Sequence, residues 1–275
     1  MATHHTPGTA RLRVNIAAGT VEITATETTD TVVNIEPLNR AARDVIDSIK
    51  ERARTLSETE HEVFVETPDH GRRSRWFGDS PAFRIEITAP SRSSIEVNSA
   101  SADITCTGTC GDVTVRSASG DASFPDVEGD VTTKTASGDL SFGRIAGRAR
   151  IQSVSSDVAI RRALGSTTAT TVSGDVKVGD ASDSLALKTV SGDIHVGSCG
   201  SDVNLHTVSG DVEIGVRSGA RVWMDLQSMS GETSSDLDLS SSRGAGGAEV
   251  EIRARSVSGD IRVLRAREPA ASVPR

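Results

Sequence analysis

Residues 170–215 read TTVSGDVKVGDASDSLALKTVSGDIHVGSCGSDVNLHTVSGDVEIG, a phrase that returns at equal intervals. The refrain T-V-S-G-D-apolar sets Asp175, Asp193 and Asp211 at the same point of three successive units. Upstream, a looser form of it sets Asp103, Asp121, Asp139 and Asp157 on the same interval. Downstream, after longer insertions, it returns as Ser230-Gly231-Glu232 and Ser258-Gly259-Asp260. A fixed period of this kind marks stacked units, none of which can bury its own apolar face alone.

Counting each unit from its Asp as position 1, position 2 is apolar (Ile104, Ala122, Leu140, Val158, Val176, Ile194, Val212). So is position 4 (Cys106, Phe124, Phe142, Ile160, Val178, Val196, Ile214). Position 13 (Val115, Thr133, Ile151, Ala169, Leu187, Leu205) and position 16 (Ala118, Ala136, Val154, Val172, Val190, Val208) follow, with position 11 more mixed. Positions 3, 12 and 14 are mostly polar. Local period two is the signature of strands. Glycines at positions 9 and 18 supply corners. Each unit reads as short strands near 2–4 and 11–16, and the expectation is an all-β, single-chain β-solenoid (β-helix) with 18-residue coils. At about 4.8 Å per strand, seven regular coils span roughly 30 Å.

The register extends backwards in looser coils over 11–102, with strand-like stretches at Arg11–Ile16, Thr20–Ala25, Val32–Glu36, His61–Glu66 and Phe83–Thr88. One helical insertion interrupts them. Val45, Ile46, Ile49, Ala53 and Leu56 share a face at helical spacing, so an amphipathic helix is expected over about 39–57, capping the open end of the rod. Residues 1–10 and 266–275 read as flexible ends, and 103–265 as the regular solenoid with longer turns after 214 and 232.

Composition narrows the interior and the partners. The chain has no Tyr, five Phe and two Trp, so its core is lined by small aliphatic side chains in closely stacked strands. A net charge of −8 argues against nucleic acid or an anionic membrane as partner. The three cysteines, Cys106, Cys110 and Cys199, form no CxxC pair, and a disulfide framework is not expected. With no signal-like apolar stretch at the N-terminus and no run long enough to span a membrane, the chain reads as cytoplasmic.

These residues resemble a known family. The SxSGD coils, the strand pair Leu12–Ile23, the helical insertion, GARVWMDLQ from Gly219 and AEVEIRARS from Ala248 are all similar to the bacterial putative-adhesin family, a β-strand-repeat domain of unknown function. The resemblance runs from about residue 10 to 265. It implies a β-helical domain with no catalytic motif, and a link for some members to envelope stress responses.

The Asp column (Asp103, Asp121, Asp139, Asp157, Asp175, Asp193, Asp211) admits two readings: a row of calcium sites, or a structural column that caps the Ser-Gly turns. One Asp per coil without a ligand-dense loop favours structure, and no metal or cofactor is expected. His195 and His206 fall on different faces, which leaves zinc short of convergent ligands. Cys106 occupies an inward position, while Cys110 and Cys199 fall nearer the turns. Trp223 and Met224 are expected to pack beneath the longer turn at Gly215–Arg221. The one basic-aromatic stretch, HGRRSRWFG from His70, concentrates Arg72, Arg73, Arg75, Trp76 and Phe77, and is the candidate partner-binding element. The expected function is a non-catalytic binding or scaffold module whose partner is another protein, present as a monomer or weak homo-oligomer. A self-assembling solenoid and a β-helical carbohydrate-active enzyme are the alternatives.

Overall fold

The computed structural model describes residues 1–55, 60–68, 80–237 and 249–266. In chain order its N-terminal elements are β1 (Ala2–His5), β2 (Thr9–Thr26), β3 (Asp30–Pro37), α1 (Arg40–Val45), β4 (Lys50–Thr55), β5 (Glu60–Glu66), β6 (Ala82–Pro90) and β7 (Ser94–Thr107). The central strands are β8 (Thr109–Cys110), β9 (Val113–Ser119), β10 (Ala122–Val127), β11 (Val131–Ser137), β12 (Leu140–Ile145), β13 (Ala149–Ser155) and β14 (Val158–Ala163). They continue as β15 (Thr167–Thr170), β16 (Val176–Ala181), β17 (Leu185–Lys188), β18 (Ile194–Cys199), β19 (Val203–His206) and β20 (Val212–Val216). The last four are β21 (Arg221–Ser230), β22 (Thr233–Ser235), β23 (Glu249–Ser258) and β24 (Ile261–Arg265).

All these strands join one continuous sheet, wound as a parallel β-solenoid. From β9 to β20 each coil contributes two strands, and each strand pairs in parallel with its equivalent in the next coil. Val131 lies beside Val113, Ile151 beside Thr133, and Phe142 beside Phe124. The rings of Phe124 and Phe142 stack with centroids 5.9 Å apart. The core is a set of aliphatic columns, because parallel in-register stacking sets like residues on like.

Strict alternation decides which columns face inward. On the strand that covers positions 11–16, positions 11 and 13 are buried, and so is position 15, a column of hydroxyls: Thr135, Ser153, Thr171, Thr189 and Thr207. Two of these hydroxyls donate back to the turn, Thr135 Oγ1 to the Ser137 carbonyl at 2.7 Å and Thr171 Oγ1 to that of Ser173 at 3.0 Å. Position 16 therefore points outward. Val154, Val172, Val190 and Val208 are 52, 46, 45 and 38 % exposed. Position 16 is apolar in sequence, yet parity with buried positions 11 and 13 sets it on the outer face. An inward column instead appears at position 7, with Val127, Ile145, Ala163, Ala181 and Cys199 buried, and a register shift brings buried Val216, at position 6, beside Cys199. Pairing skips position 5 between Phe124–Phe142 and Asp126–Arg144, so the strand kinks and swings position 7 in. Cys110, paired with Val127, is buried too, which corrects the turn-side placement of Cys110 and Cys199.

The two ends depart from sequential winding in the same way. At the N-terminal end β2 lies between the layer of β5 and β6 on one side and β7 on the other. At the C-terminal end β23 and β24 slip between β19–β20 and the outermost β21–β22. β2 and the pair β23–β24 thus each lie one layer in from the outermost coil at their end of the rod.

Two expectations at the N-terminus are corrected. The helix over 39–57 shrinks to α1 and a 3-10 turn at Ile46–Ser48, capped by the Asn39 carboxamide oxygen accepting from the Ala42 amide at 2.8 Å. Lys50–Thr55 is instead strand β4, antiparallel to β5. The outermost layer carries unpaired backbone groups, and covering them outweighs the helical pattern. β3 covers β6 and β1 covers β3 in the same fashion, so residues 2–5 are a paired strand and not a flexible end. His4 Nε2 lies 2.6 Å from Glu51 Oε1, joining β1 to β4.

Candidate binding groove

On the strand that covers positions 2–7, position 5 is glycine in four coils: Gly143, Gly179, Gly197 and Gly215. At each of these glycines a side chain would run into the carbonyl of the coil beneath. A Cβ on Gly215 would sit 1.9 Å from the Gly197 carbonyl oxygen. The result is a depression of about 940 Å³ crossing β14, β16, β18, β20 and β24, floored by Gly179, Gly197 and Gly215.

Cations rim it. Arg161 and Arg162 come from the end of β14, Arg217 from just after β20, and Arg265 from the end of β24. Arg217 reaches back across the coils, donating to Asp180 Oδ1 at 2.7 Å and Ser182 Oγ at 3.1 Å. Arg265 donates to the Arg217 carbonyl at 3.3 Å. No carboxylate of the described residues lies within ion-pair distance of Arg161, Arg162 or Arg265. Beyond the rim, burial pushes the Asp126 carboxyl up. Hydrogen bonds from Arg144 and Thr109, with the charges of Arg144 and Arg161, outweigh that and hold it below the ordinary carboxylate range. His195 lies in the groove with Nδ1 3.4 Å from Glu213 Oε1; both side chains are 47 % exposed.

The Asp column is a hydrogen-bonded ladder. The Asp103 carboxylate accepts the Asp121 amide at 3.0 Å, Asp121 accepts that of Asp139 at 2.8 Å, and Asp139 that of Asp157 at 3.2 Å. Asp157, Asp175 and Asp193 continue it to the amides of Asp175, Asp193 and Asp211, at 2.8, 3.0 and 2.8 Å. Asp211 and Asp260 extend it to Asp260 and Glu232. The bond runs to the next coil rather than to the turn of its own coil, so the column ties layers together. Among the described residues no three His, Cys, Asp or Glu side chains converge as metal ligands would.

His195 and His206 are exposed on β18 and β19. All three cysteines are free and buried. A hydrogen bond with Cys106, then burial, push the Cys110 thiol far up, and burial raises Cys199 to about 11. Trp223 is 52 % exposed with the Arg253 guanidinium 5.9 Å above its ring, not packed beneath a turn, whereas Met224 is half-buried. Arg72, Arg73, Arg75, Trp76 and Phe77 lie outside the described residues. Sequence reading missed the groove. Its available signal was the pair Arg161-Arg162 breaking the glycine column, but the convergence of Arg217 and Arg265 depends on the exchanged layer at the C-terminal end.

These features define a class: a parallel β-solenoid repeat protein with an open cationic groove on one face. Within that class the chain belongs to the Toastrack DUF4097 family, whose profile matches residues 9–264. No curated protein matches it. Similar solved structures include a putative adhesin from Bacteroides fragilis, 11 % identical, with 95 % of this chain and 96 % of that one covered and a TM-score of 0.46. A putative lipid binding protein from Parabacteroides distasonis is 11 % identical over 95 % and 96 %, with a TM-score of 0.43. A putative cell adhesion protein from Clostridium sporogenes is 9 % identical over 94 % of each chain, with a TM-score of 0.29. Among the described residues no helix is long and apolar enough to cross a membrane.

Proposed function

We propose that this protein is a non-catalytic binding module that holds an acidic segment of a protein partner along the glycine-floored groove. The observation that carries the reading is the gathering of Arg161, Arg162, Arg217 and Arg265 around one glycine-floored depression in a chain of net charge −8. Like charges repel, and three of these four have no carboxylate among the described residues to offset the cost. Guanidinium groups present a planar fork of donors suited to carboxylates. The glycine floor lets an extended chain approach the backbone.

The non-catalytic part rests on the groove's acid–base content. Among the described residues His195 and Glu213 are the one His–carboxylate pair lining it, and both are open to water with no third group orienting the imidazole. Assignment to the cytoplasm belongs to the same proposal and is supported by the three free, buried thiols. The stretch holding Arg72, Arg73, Arg75, Trp76 and Phe77 is the second candidate contact.

Calorimetric titration with a polyglutamate peptide tests this. Binding is expected at low salt and should weaken steeply as salt rises. Replacing Arg161 and Arg162 by Ser should weaken it about tenfold, or about 1.4 kcal/mol. No binding at low salt would remove the groove reading. Loss in an Arg72, Arg73 and Arg75 to Ser variant, with the groove variant unaffected, would move the site to that stretch.

A further inference from the structure

The outward column at position 16 has no role in the groove or the core. Val154, Val172, Val190, Val208, Val257 and Met229 stand one above another, because Ser209 pairs with Ser258 and Ser258 with Ser230 one residue further on. Val257 is 40 % and Met229 84 % exposed. At about 4.8 Å per layer this is a ridge of roughly 24 Å, continued towards the N-terminus by the smaller Ala136, Ala118 and Ala100. A contiguous apolar strip on an otherwise polar surface marks an interaction site.

The ridge is flanked asymmetrically. On one side runs position 14, with Arg116, Lys134, Lys188, His206 and Arg255; on the other runs the Asp column. Lys134 and Lys188 have no carboxylate within ion-pair distance among the described residues, and neither Asp157, Asp193 nor Asp211 has a cation there. The ridge separates the two sets of unmatched charges within one molecule.

We propose that a second copy of this chain covers the ridge, in a side-by-side dimer with the two rods parallel and the twofold axis along the rod. Symmetry and charge select this arrangement together. A ridge-on-ridge dimer has two isologous options. With the twofold across the rods, the basic column of one copy meets the basic column of the other. With the twofold along the rods, each basic column meets the partner's Asp column at the same height. Lys188 then faces Asp193 of the partner subunit, and Lys134 faces Asp139 of the partner subunit. Like valines meet at the axis. The narrow contact makes the dimer weak, dissociating in about the micromolar range.

Sedimentation equilibrium on the full chain is expected to show a monomer–dimer equilibrium that weakens with salt. Val172→Thr with Val190→Thr keeps the β-branched shape. It should leave the melting temperature unchanged and raise the dimer dissociation constant at least tenfold. Lys188→Glu and Asp193→Lys should each weaken the dimer, and the double swap should restore it. Val154→Cys and Val208→Cys, tested singly, should each cross-link to themselves on oxidation. A monomer at all concentrations up to about 1 mM, or a dimer indifferent to the valine change, overturns the proposal. Failure of either end cysteine to self-link in a chain that dimerises overturns the parallel arrangement. Binding of neutral lipid vesicles through the valines, without dimerisation, assigns the ridge to a lipid surface and overturns it equally.

Discussion

The middle of the rod and its two ends are built by different rules. From β9 to β20 the chain winds coil after coil, every strand beside its equivalent in the next coil. At the ends the order breaks: β2 finds partners in β5, β6 and β7, and β23 enters between β19 and β21. The middle needs only nearest neighbours, so its pattern is local and its sequence periodic. The ends must finish a stack whose last layer has one open side. Threading β2 and β23–β24 one layer in leaves the outermost strands, β5–β6 and β21–β22, tethered through the chain on both sides. At the N-terminal end, antiparallel β3 and β4 cover it as well.

The largest effects should come from stacking in the middle. Gly138 has φ +102° and its Cβ would lie 2.1 Å from the Gly120 carbonyl oxygen, so Gly138→Ala meets both a strained backbone and a fixed neighbour. Phe142→Ala empties a stacked, fully buried ring site. Each should cost about 4 kcal/mol in denaturant unfolding. A loss below about 1 kcal/mol in either would show that the coils are not close-packed on one another.

Leu12→Ala and Val178→Ala remove buried side chains from an end and from the middle, at about 2–4 kcal/mol each. Hydrogen exchange should separate them. With Leu12→Ala, protection is expected to fall in β2, β5 and β6 together while β13 to β18 hold, since coupling runs between neighbouring layers. Uniform loss across the rod would mean that ends and middle unfold as one unit.

Cys199 gives a pH test in the middle. Its thiol is raised from 9.0 to about 11 by burial, so folding favours the protonated form. That contribution is complete below pH 9 and is lost as pH rises through 11. It amounts to roughly 2–3 kcal/mol. Denaturation midpoints should fall across that window, and less so in Cys199→Ala.

The smallest effect belongs to the Asp ladder. Asp175→Ala removes the acceptor for the Asp193 amide at an exposed position and should cost about 1 kcal/mol. The ladder is proposed to work without metal, so melting temperatures in excess calcium and in chelator should coincide. A calcium-dependent rise of several degrees would reassign the column to ion binding.

The repeat period, the all-β class and the parallel stack were determined by the sequence alone. Each is a consequence of equal units seeking equal neighbours, and Asp, Gly and Val recur at fixed intervals to serve it. Alternation was legible too, and followed strictly from positions 11 and 13 it sets the apolar Val172 and Val190 of position 16 outside. Helical spacing from Val45 to Leu56 was misleading, because six residues of it gain more as an edge strand on β5 than as a helix turn. Only the tertiary structure decided what depends on distant pairings: the kink at position 5 that buries Cys199, the exchange of layers at both ends, and the meeting of Arg161, Arg217 and Arg265 at one groove. The physical reason is range. A repeat encodes contacts one coil away, whereas β2 meets β7 across more than eighty residues and β19 meets β23 across forty-nine, where no period runs.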